Sequence, residues 1–493
     1  MPPPLAMTQG STIKLLFLDD RHIDQAQGLV RRFGRPEPCK ANPIIRADRP
    51  WERDAAFVDT GLVFYDEADQ LFKAWYQGGA CYGPKDQSNM CYATSVDGIE
   101  WNKPDLGVVK YEGNTRNNIV LMADCMMHDP AVILDHADPD PARRYKAIWW
   151  GGRCDPAGRD DWQLGHAVGF SPDGIHWTEH PKNPVWPADA EVATPFDIER
   201  RKGPLMMFCS ADGHGMRVVA RTQSKDWVNW DLPPELVFRS TDDDPPGTEM
   251  GGLAAIDYFG TPIGLLWVIH NLPEFEVDQW KNIVQRNIRQ GYLGPPIALN
   301  EARCRLIFTE LVTANNTHDW RRIQHKPFLA LGGAGSWDEC LSLGGRPIVV
   351  RDQIYIYYTG MGRTMQTPGV QEPQIVGQWN IETGLATLRL DGWAYLETQE
   401  SSATLLTCPF ELKDTQLRIN ADATNGRIAG ELLDEQGHPI PGYERVASHL
   451  VTGDQLRVAL RWKGKQDLAE LRGRTLRLRL DLEDASLFSV QIA

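Results

Sequence analysis

Three carboxylates stand where short apolar runs begin: Asp59 in Val58-Asp59-Thr60, Asp129 in His128-Asp129-Pro130 and Glu249 in Thr248-Glu249-Met250. A charged group at the start of an apolar strand is partly desolvated, and several such groups around one cavity push each other's pKa values apart. That separation is what an acid working beside a base requires. Cleavage of a glycosidic bond uses one carboxyl to protonate the leaving oxygen and another to attack or to activate water, and a third can stabilise the cationic sugar. Asp59, Asp129 and Glu249 are therefore the expected catalytic residues. Simpler roles compete with this one. Asp59 and Asp129 can cap turns, Asp before Pro being a favoured turn start, and Glu249 follows the acidic loop Asp242 to Asp244 and can be merely solvated.

Nine further residues are expected to bind the substrate: Trp51, Arg53, His128, Glu191, His270, Trp337, Asp338, Glu339 and Arg346, with His214 in the same neighbourhood. Ring faces match sugar C–H surfaces and guanidinium donors match hydroxyls. A lone His at a strand end, such as His270, has a structural role as its competing reading. The nine cysteines are scattered and never form a C-x-x-C pair, which argues against a zinc knuckle and a disulfide framework. No metal and no cofactor is expected.

The elements that must position these groups are legible as a repeat. One phrase recurs in Ser95-Val-Asp97-Gly98-Ile-Glu-Trp101, Ser171-Pro-Asp173-Gly174-Ile-His-Trp177 and Ser224-Lys-Asp226-Trp-Val-Asn-Trp230, with a looser copy ending at Asp319-Trp320. It suits a hairpin turn between outer strands, its Trp packing between neighbouring sheets. A second element recurs as five continuously apolar and aromatic runs, beginning at Phe72, Tyr145, Leu205, Ile263 and Ile354. Each has strand length and the character of a strand covered on both faces. A short strand and a polar turn precede each one. Five such copies describe four-stranded blades set radially, so residues 42–392 are expected to form a five-bladed β-propeller, preceded by a lead-in segment, 1–41, packing on it. After Asp391-Gly-Trp393 strict alternation appears, as in Leu476-Arg-Leu-Arg-Leu-Asp-Leu482, and residues 393–493 are expected to form a β-sandwich. The fold class is all-β.

Composition sets the outer bounds. Fifty-one Lys and Arg against 66 Asp and Glu give a net charge of −15 over 493 residues, a field that repels polyphosphate, so nucleic acid is not an expected partner. No apolar run reaches the ~20 residues that span a bilayer, and MPPPLAMTQG carries no secretory pattern. The expectation is a cytoplasmic protein with no membrane partner, whose C-terminal domain packs on a propeller flank or assembles a homo-oligomer.

This arrangement resembles the superfamily of five-bladed propeller glycosidases that contains the invertase and levanase, levansucrase, and arabinanase or xylosidase families. His128-Asp129-Pro130 resembles the Arg-Asp-Pro motif of the invertase group, which implies a transition-state stabiliser at Asp129, and Asp59 is similar in place to that family's nucleophile or base. The chain lacks the Trp-Met-Asn-Asp-Pro-Asn-Gly signature and has Thr194 where the family carries a Glu-Cys pair. The resemblance then implies Glu249, or Glu191 from a loop, as the acid. Leu18-Asp-Asp20, Pro50-Trp51-Glu52, Gly335-Ser-Trp-Asp338 and the stretch from Gly473 to Ser489 resemble an uncharacterised bacterial glycosidase-like branch. A glycoside hydrolase acting on a small carbohydrate, such as a fructoside or arabinoside, is the functional expectation. The alternatives are a transglycosylase or phosphorylase on the same scaffold, a lyase, and a non-catalytic carbohydrate-binding propeller.

Overall fold

The computed structural model describes residues 13–58, 60, 63–79, 88–123, 127–153, 163–187, 191–196, 204–213, 216–271, 305–333, 335–362 and 380–492. It is all-β: the described residues contain strands and short 3-10 turns but no α-helix, and no helix long and apolar enough to cross a membrane. The aromatic runs explain this. Each becomes the second strand of an antiparallel meander, where bulky and β-branched side chains pack on a pleated surface.

Unit one consists of Ala55–Phe57 and Val63–Asp66, then Leu71–Gly78, Asn89–Ser95 and Ile119–Met122. Unit two runs Met127–Leu134, Tyr145–Arg153, Gln163–Ser171 and Thr178–Glu179. Unit three runs Ala193–Phe196, Leu205–Asp212, Arg217–Ser224 and Glu235–Phe238. Unit four runs Thr248–Tyr258, Thr261–Asn271, Arg305–Ala314 and Trp320–Leu329. Unit five has Leu341–Gly344 and Ile348–Val350, then Gln353–Met361 and Ile381–Arg389. Its outer partner is Glu37–Pro38, which comes from the N-terminal segment and pairs with Ala386 and Thr387.

Apolar cores lie between consecutive units and not within them. Trp75 and Met90 of unit one pack with Val132 and Trp149 of unit two, Ile148 of unit two with Met207 and Trp227 of unit three, and Phe208 of unit three with Leu266 and Phe308 of unit four. Leu265 of unit four meets Ile356 and Tyr358 of unit five, and Leu385 and Tyr357 of unit five meet Phe72 and Tyr76 of unit one. Each unit thus buries both faces, and the contacts close a ring. At ~2 kcal/mol for each large apolar side chain removed from water, these shared layers are the main adhesive.

The recurring Ser-x-Asp turns dock units one, two and three on their neighbours in the ring. Gly174 sits at φ +79° with its carbonyl accepting from Trp75 Nε1–H at 2.7 Å, and a Cβ there would come within 2.5 Å of that indole. Glycine is required both by the positive φ and by the close approach. Trp227 Nε1–H donates likewise to the Ala147 carbonyl at 3.0 Å, and Tyr357 Oη–H to the Gly98 carbonyl at 3.0 Å.

Trp186–Pro187 adds a short fifth strand to unit two, beside Gln163–Ser171; the remaining strands form one ten-stranded sheet around a single core that includes Leu405, Leu432, Leu478 and Leu487. Along one edge its long strand, Leu417–Asp434, pairs first with Ser486–Ile492, with a register shift near Asn420, and then with Thr475–Glu483. The lead-in segment does more than the sequence suggested. Leu16 and Leu18 pack beside Ile256 and Tyr258 of unit four, yet its strands Ile13–Leu16, Ile23–Gln27 and Leu29–Phe33 hydrogen-bond into the C-terminal sheet. Backbone groups of short strands need ladder partners, and the open strands of that sheet supply them.

Candidate functional site

The first strands of units one, two, four and five share a local irregularity, whereas Ala193–Phe196 of unit three pairs in unbroken register. In unit two the register shifts between His128 and Ala131, in unit four between Met250 and Gly252. In unit one Phe57 pairs with Gln77 but Val63 already with Ala74, and in unit five Gly344 pairs with Tyr358 but Ile348 with Tyr355. A bulge re-aims the side chains it carries. At the unit-two bulge Asp129 has φ +49° and is almost wholly buried. Its N–H donates to Gln77 Oε1 at 2.9 Å and its carbonyl accepts from Thr60 Oγ1–H at 3.1 Å. A non-glycine residue held at positive φ by contacts to a neighbouring unit is a local strain that the surroundings enforce.

From Asp129 a chain of charges runs through three units. His128 Nδ1 lies 3.4 Å from Asp129 Oδ1, and its Nε2 lies 3.7 Å from Glu191 Oε2. Glu191 Oε2 accepts from Arg217 Nη2–H at 3.2 Å, and the backbone N–H of Arg217 donates to Glu249 Oε1, also at 3.2 Å. Burial alone would raise the Glu191 carboxyl, but His128 and Arg217 outweigh it and hold Glu191 down at about 2. It is a carboxylate throughout the neutral range. Glu249 opens the first strand of unit four, opposite Ile269, and is half-buried. Asp129, Glu191 and Glu249 therefore belong to one network, tied by His128 and Arg217.

Asp59 and His214 lie outside the described residues. Thr60, next in the chain after Asp59, is buried and touches Asp129. His270 is buried opposite Thr248, edge-on to Phe308 with ring centroids 5.0 Å apart, and burial lowers it to about 4. Trp51 donates Nε1–H to Asn118 Oδ1 at 2.8 Å and packs edge-on to Tyr111 in the core between units five and one. Arg53 is exposed at φ +51°.

The unit-five candidates form a group of their own. A Cβ on Gly360 or Gly384 would come within 2.3 or 2.8 Å of the Trp337 ring, which also tilts over Tyr358. That indole spends a face on backbone. Asp338 accepts from Tyr358 Oη–H at 2.9 Å and from Ser336 Oγ–H at 2.8 Å, and buried Glu339 accepts from the Gly335 N–H at 2.9 Å. Arg346 sits half-buried at the unit-five irregularity.

Arg217 was not among the sequence candidates. Its signal was the one that singled out Glu249, a charge opening an apolar strand in Arg217-Val-Val-Ala220, but it opens a third strand, where inward projection could not be read. Among the described residues no group of three or more His, Cys, Asp and Glu side chains could hold a metal ion.

No family model and no curated protein matches the sequence. Similar solved structures include a member of the GH130 family of mannoside phosphorylases, described as containing glycoside hydrolases that target β-1,2 mannosidic linkages in Candida mannan (14% identity, 72% of this chain and 94% of that chain, TM-score 0.43). A fructofuranosidase variant from Schwanniomyces occidentalis complexed with fructosylnystose is similar at 11% identity over 91% of this chain and 96% of that chain, TM-score 0.42. The GH32 β-fructofuranosidase of Bombyx mori is similar at 12% identity over 90% and 93%, TM-score 0.42.

Proposed function

We propose that the closed ring of five units is a five-bladed β-propeller, that the C-terminal sheet folds into a β-sandwich, and that the protein is a glycoside hydrolase acting on a small, uncharged furanoside. The observation that carries this reading is the connected network of Asp129, His128, Glu191, Arg217 and Glu249, drawn from three successive units. Asp129, buried and fixed at the bulge, is the stabiliser of the oxocarbenium-like transition state. Glu249 is the general acid, and Asp59 the nucleophile or base. Glu191, held ionised by His128 and Arg217, cannot supply a proton near neutrality and instead balances the Arg217 guanidinium and adds negative potential facing the sugar.

The test uses two leaving groups. Glu249→Gln should lower turnover of an alkyl or sugar aglycone by about 10³-fold but of a nitrophenyl furanoside far less, because nitrophenolate leaves without a proton. Equal turnover of both substrates in wild type and variant would move the acid role to Glu339 or remove it.

A second reading, phosphorolysis, is favoured by the Arg217 guanidinium and the His128 imidazole, which lie in the same network. Both already face Glu191, which leaves less charge for a phosphate and places hydrolysis first. Added inorganic phosphate should leave the rate unchanged and yield no sugar phosphate.

A further inference from the structure

Unit four contains a second ionic cluster, remote from solvent and unused by the chemistry above. Arg322, on the outer strand Trp320–Leu329, donates from Nε and Nη2 to both oxygens of Glu310 at 2.7 and 2.8 Å, and from Nη1 to Asp244 Oδ1 at 2.5 Å. The side chains of Arg322, Asp244 and Glu310 are 6%, 4% and 1% exposed. Of the acidic run Asp242 to Asp244, then, the last member is not solvated but drawn inside.

Buried ion pairs gain little net stability over apolar packing, and fixing a particular arrangement is one attested use. The arrangement fixed here is specific. Asp244 lies on the crossing from the outer strand of unit three to the first strand of unit four, and its other oxygen accepts from the Thr241 N–H at 2.9 Å and Oγ1–H at 3.2 Å. Pro245 and Pro246 follow, and the Pro245 carbonyl accepts from the Thr248 N–H at 3.2 Å and Oγ1–H at 2.7 Å. The rings of Pro245 and Pro246 fix φ at both positions and Thr248 is tied back to Pro245, so between the clamp and Glu249 the least restrained residue is Gly247, at φ +77°.

We propose that Arg322 is a positioning residue for Glu249: through Asp244 it fixes the crossing 241–248, so that the Glu249 carboxyl arrives at the Arg217 N–H and joins the network with Glu191, His128 and Asp129. The inference rests on the assignment of Glu249 as acid and adds what holds it there. Misplacing a reacting group by about 1 Å costs on the order of 10²-fold in rate, which is the scale on which the clamp acts.

Asp244→Asn tests this, because it keeps the side chain's size and one acceptor for Arg322 while removing the charge. Hydrogen–deuterium exchange of the amides at 247–251 should accelerate about tenfold, the loss of one charge-assisted hydrogen bond, while exchange in Met127–Leu134 stays as in wild type. On 4-nitrophenyl and alkyl α-L-arabinofuranosides and β-fructofuranosides, kcat should fall about 10- to 100-fold with KM within about twofold, more for the alkyl aglycone. Unchanged exchange at 247–251 overturns the proposal whether or not a substrate is turned over. Should Asp244→Asn not accumulate as folded protein, Thr241→Val, at an exposed position, should raise the same exchange by about threefold, and no rise overturns the proposal equally. Loosened amides with an unaltered kcat overturn the positioning role and leave the acid assignment standing. Full activity of Glu249→Gln on alkyl glycosides overturns the acid assignment itself.

Discussion

Two charge networks in this molecule are built from similar side chains and do opposite things. At the junction of the ring with the C-terminal sheet, Lys14 Nζ–H donates to Asp391 Oδ1 at 2.6 Å, joined by Tyr258 Oη–H to the same oxygen and Ser489 Oγ–H to Oδ2, each at 2.6 Å. Asn420 adds a fourth donor at 3.2 Å, and the Lys14 ammonium lies 4.2 Å from the centre of the Phe259 ring. Lys14 and Asp391 are both about 2% exposed or less, so the network has no room for a substrate. In the network that joins Asp129 to Glu249, Glu191 and Arg217 are each about a third exposed, 30% and 33%, and their contacts are longer. A sealed network specifies how the lead-in segment, unit four and the C-terminal sheet meet, and an open one leaves charge available to a ligand.

The contrast can be broken most sharply at Asp129. Asp129→Asn should cut turnover by about 10³-fold or more, on the order of 4 kcal/mol of transition-state stabilisation, with the melting temperature nearly unchanged, because Asn accepts positive φ. A comparable loss of stability would mean that the open network is structural too. The converse variant, Lys14→Met, leaves a carboxylate buried without its cation and should cost about 3–5 kcal/mol in denaturant unfolding, while activity per folded molecule persists.

His270 sharpens the comparison through pH. Burial holds it at about 4 against an ordinary 6.5, so the unfolded chain binds the extra proton first. Stability is then complete above about 6.5 and declines as pH falls toward 4, by about 3 kcal/mol in all. His270→Gln should flatten that part of the stability profile and leave the alkaline side alone. The smallest effect is expected from Arg217→Met. Removing one of the two partners that hold Glu191 at about 2 should raise that carboxyl, seen as an upward shift of the acid limb of kcat/KM. An unmoved limb would mean that His128 alone sets the ionisation of Glu191.

The repeat was legible because its causes are local. Asp97-Gly98 and Asp173-Gly174 are turns that any strand pair would read the same way, and the runs at Phe72 and Tyr145 bury both faces wherever they are placed. The site was legible in part. Asp129 and Glu249 were singled out because a charge opening an apolar strand is anomalous in one dimension, and Glu191 as a loop residue able to reach toward them. Trp337 and Trp51 were singled out as sugar platforms by residue type, yet the structure turns one onto glycine backbone and the other into a core. Aromatic identity does not encode which way a ring faces.

Sequence alone settled the all-β character, the meander period and the acidic residues at strand starts, since these follow from propensity, alternation and desolvation within a few residues. The closure of unit five by Glu37–Pro38, the union of Lys14 with Asp391 across 377 positions, and the bridging of Glu191 to Glu249 by Arg217 were decided only by the tertiary structure. Each depends on a distance between segments that no local interaction sets, and it is fixed only once the apolar layers between all the units have formed together.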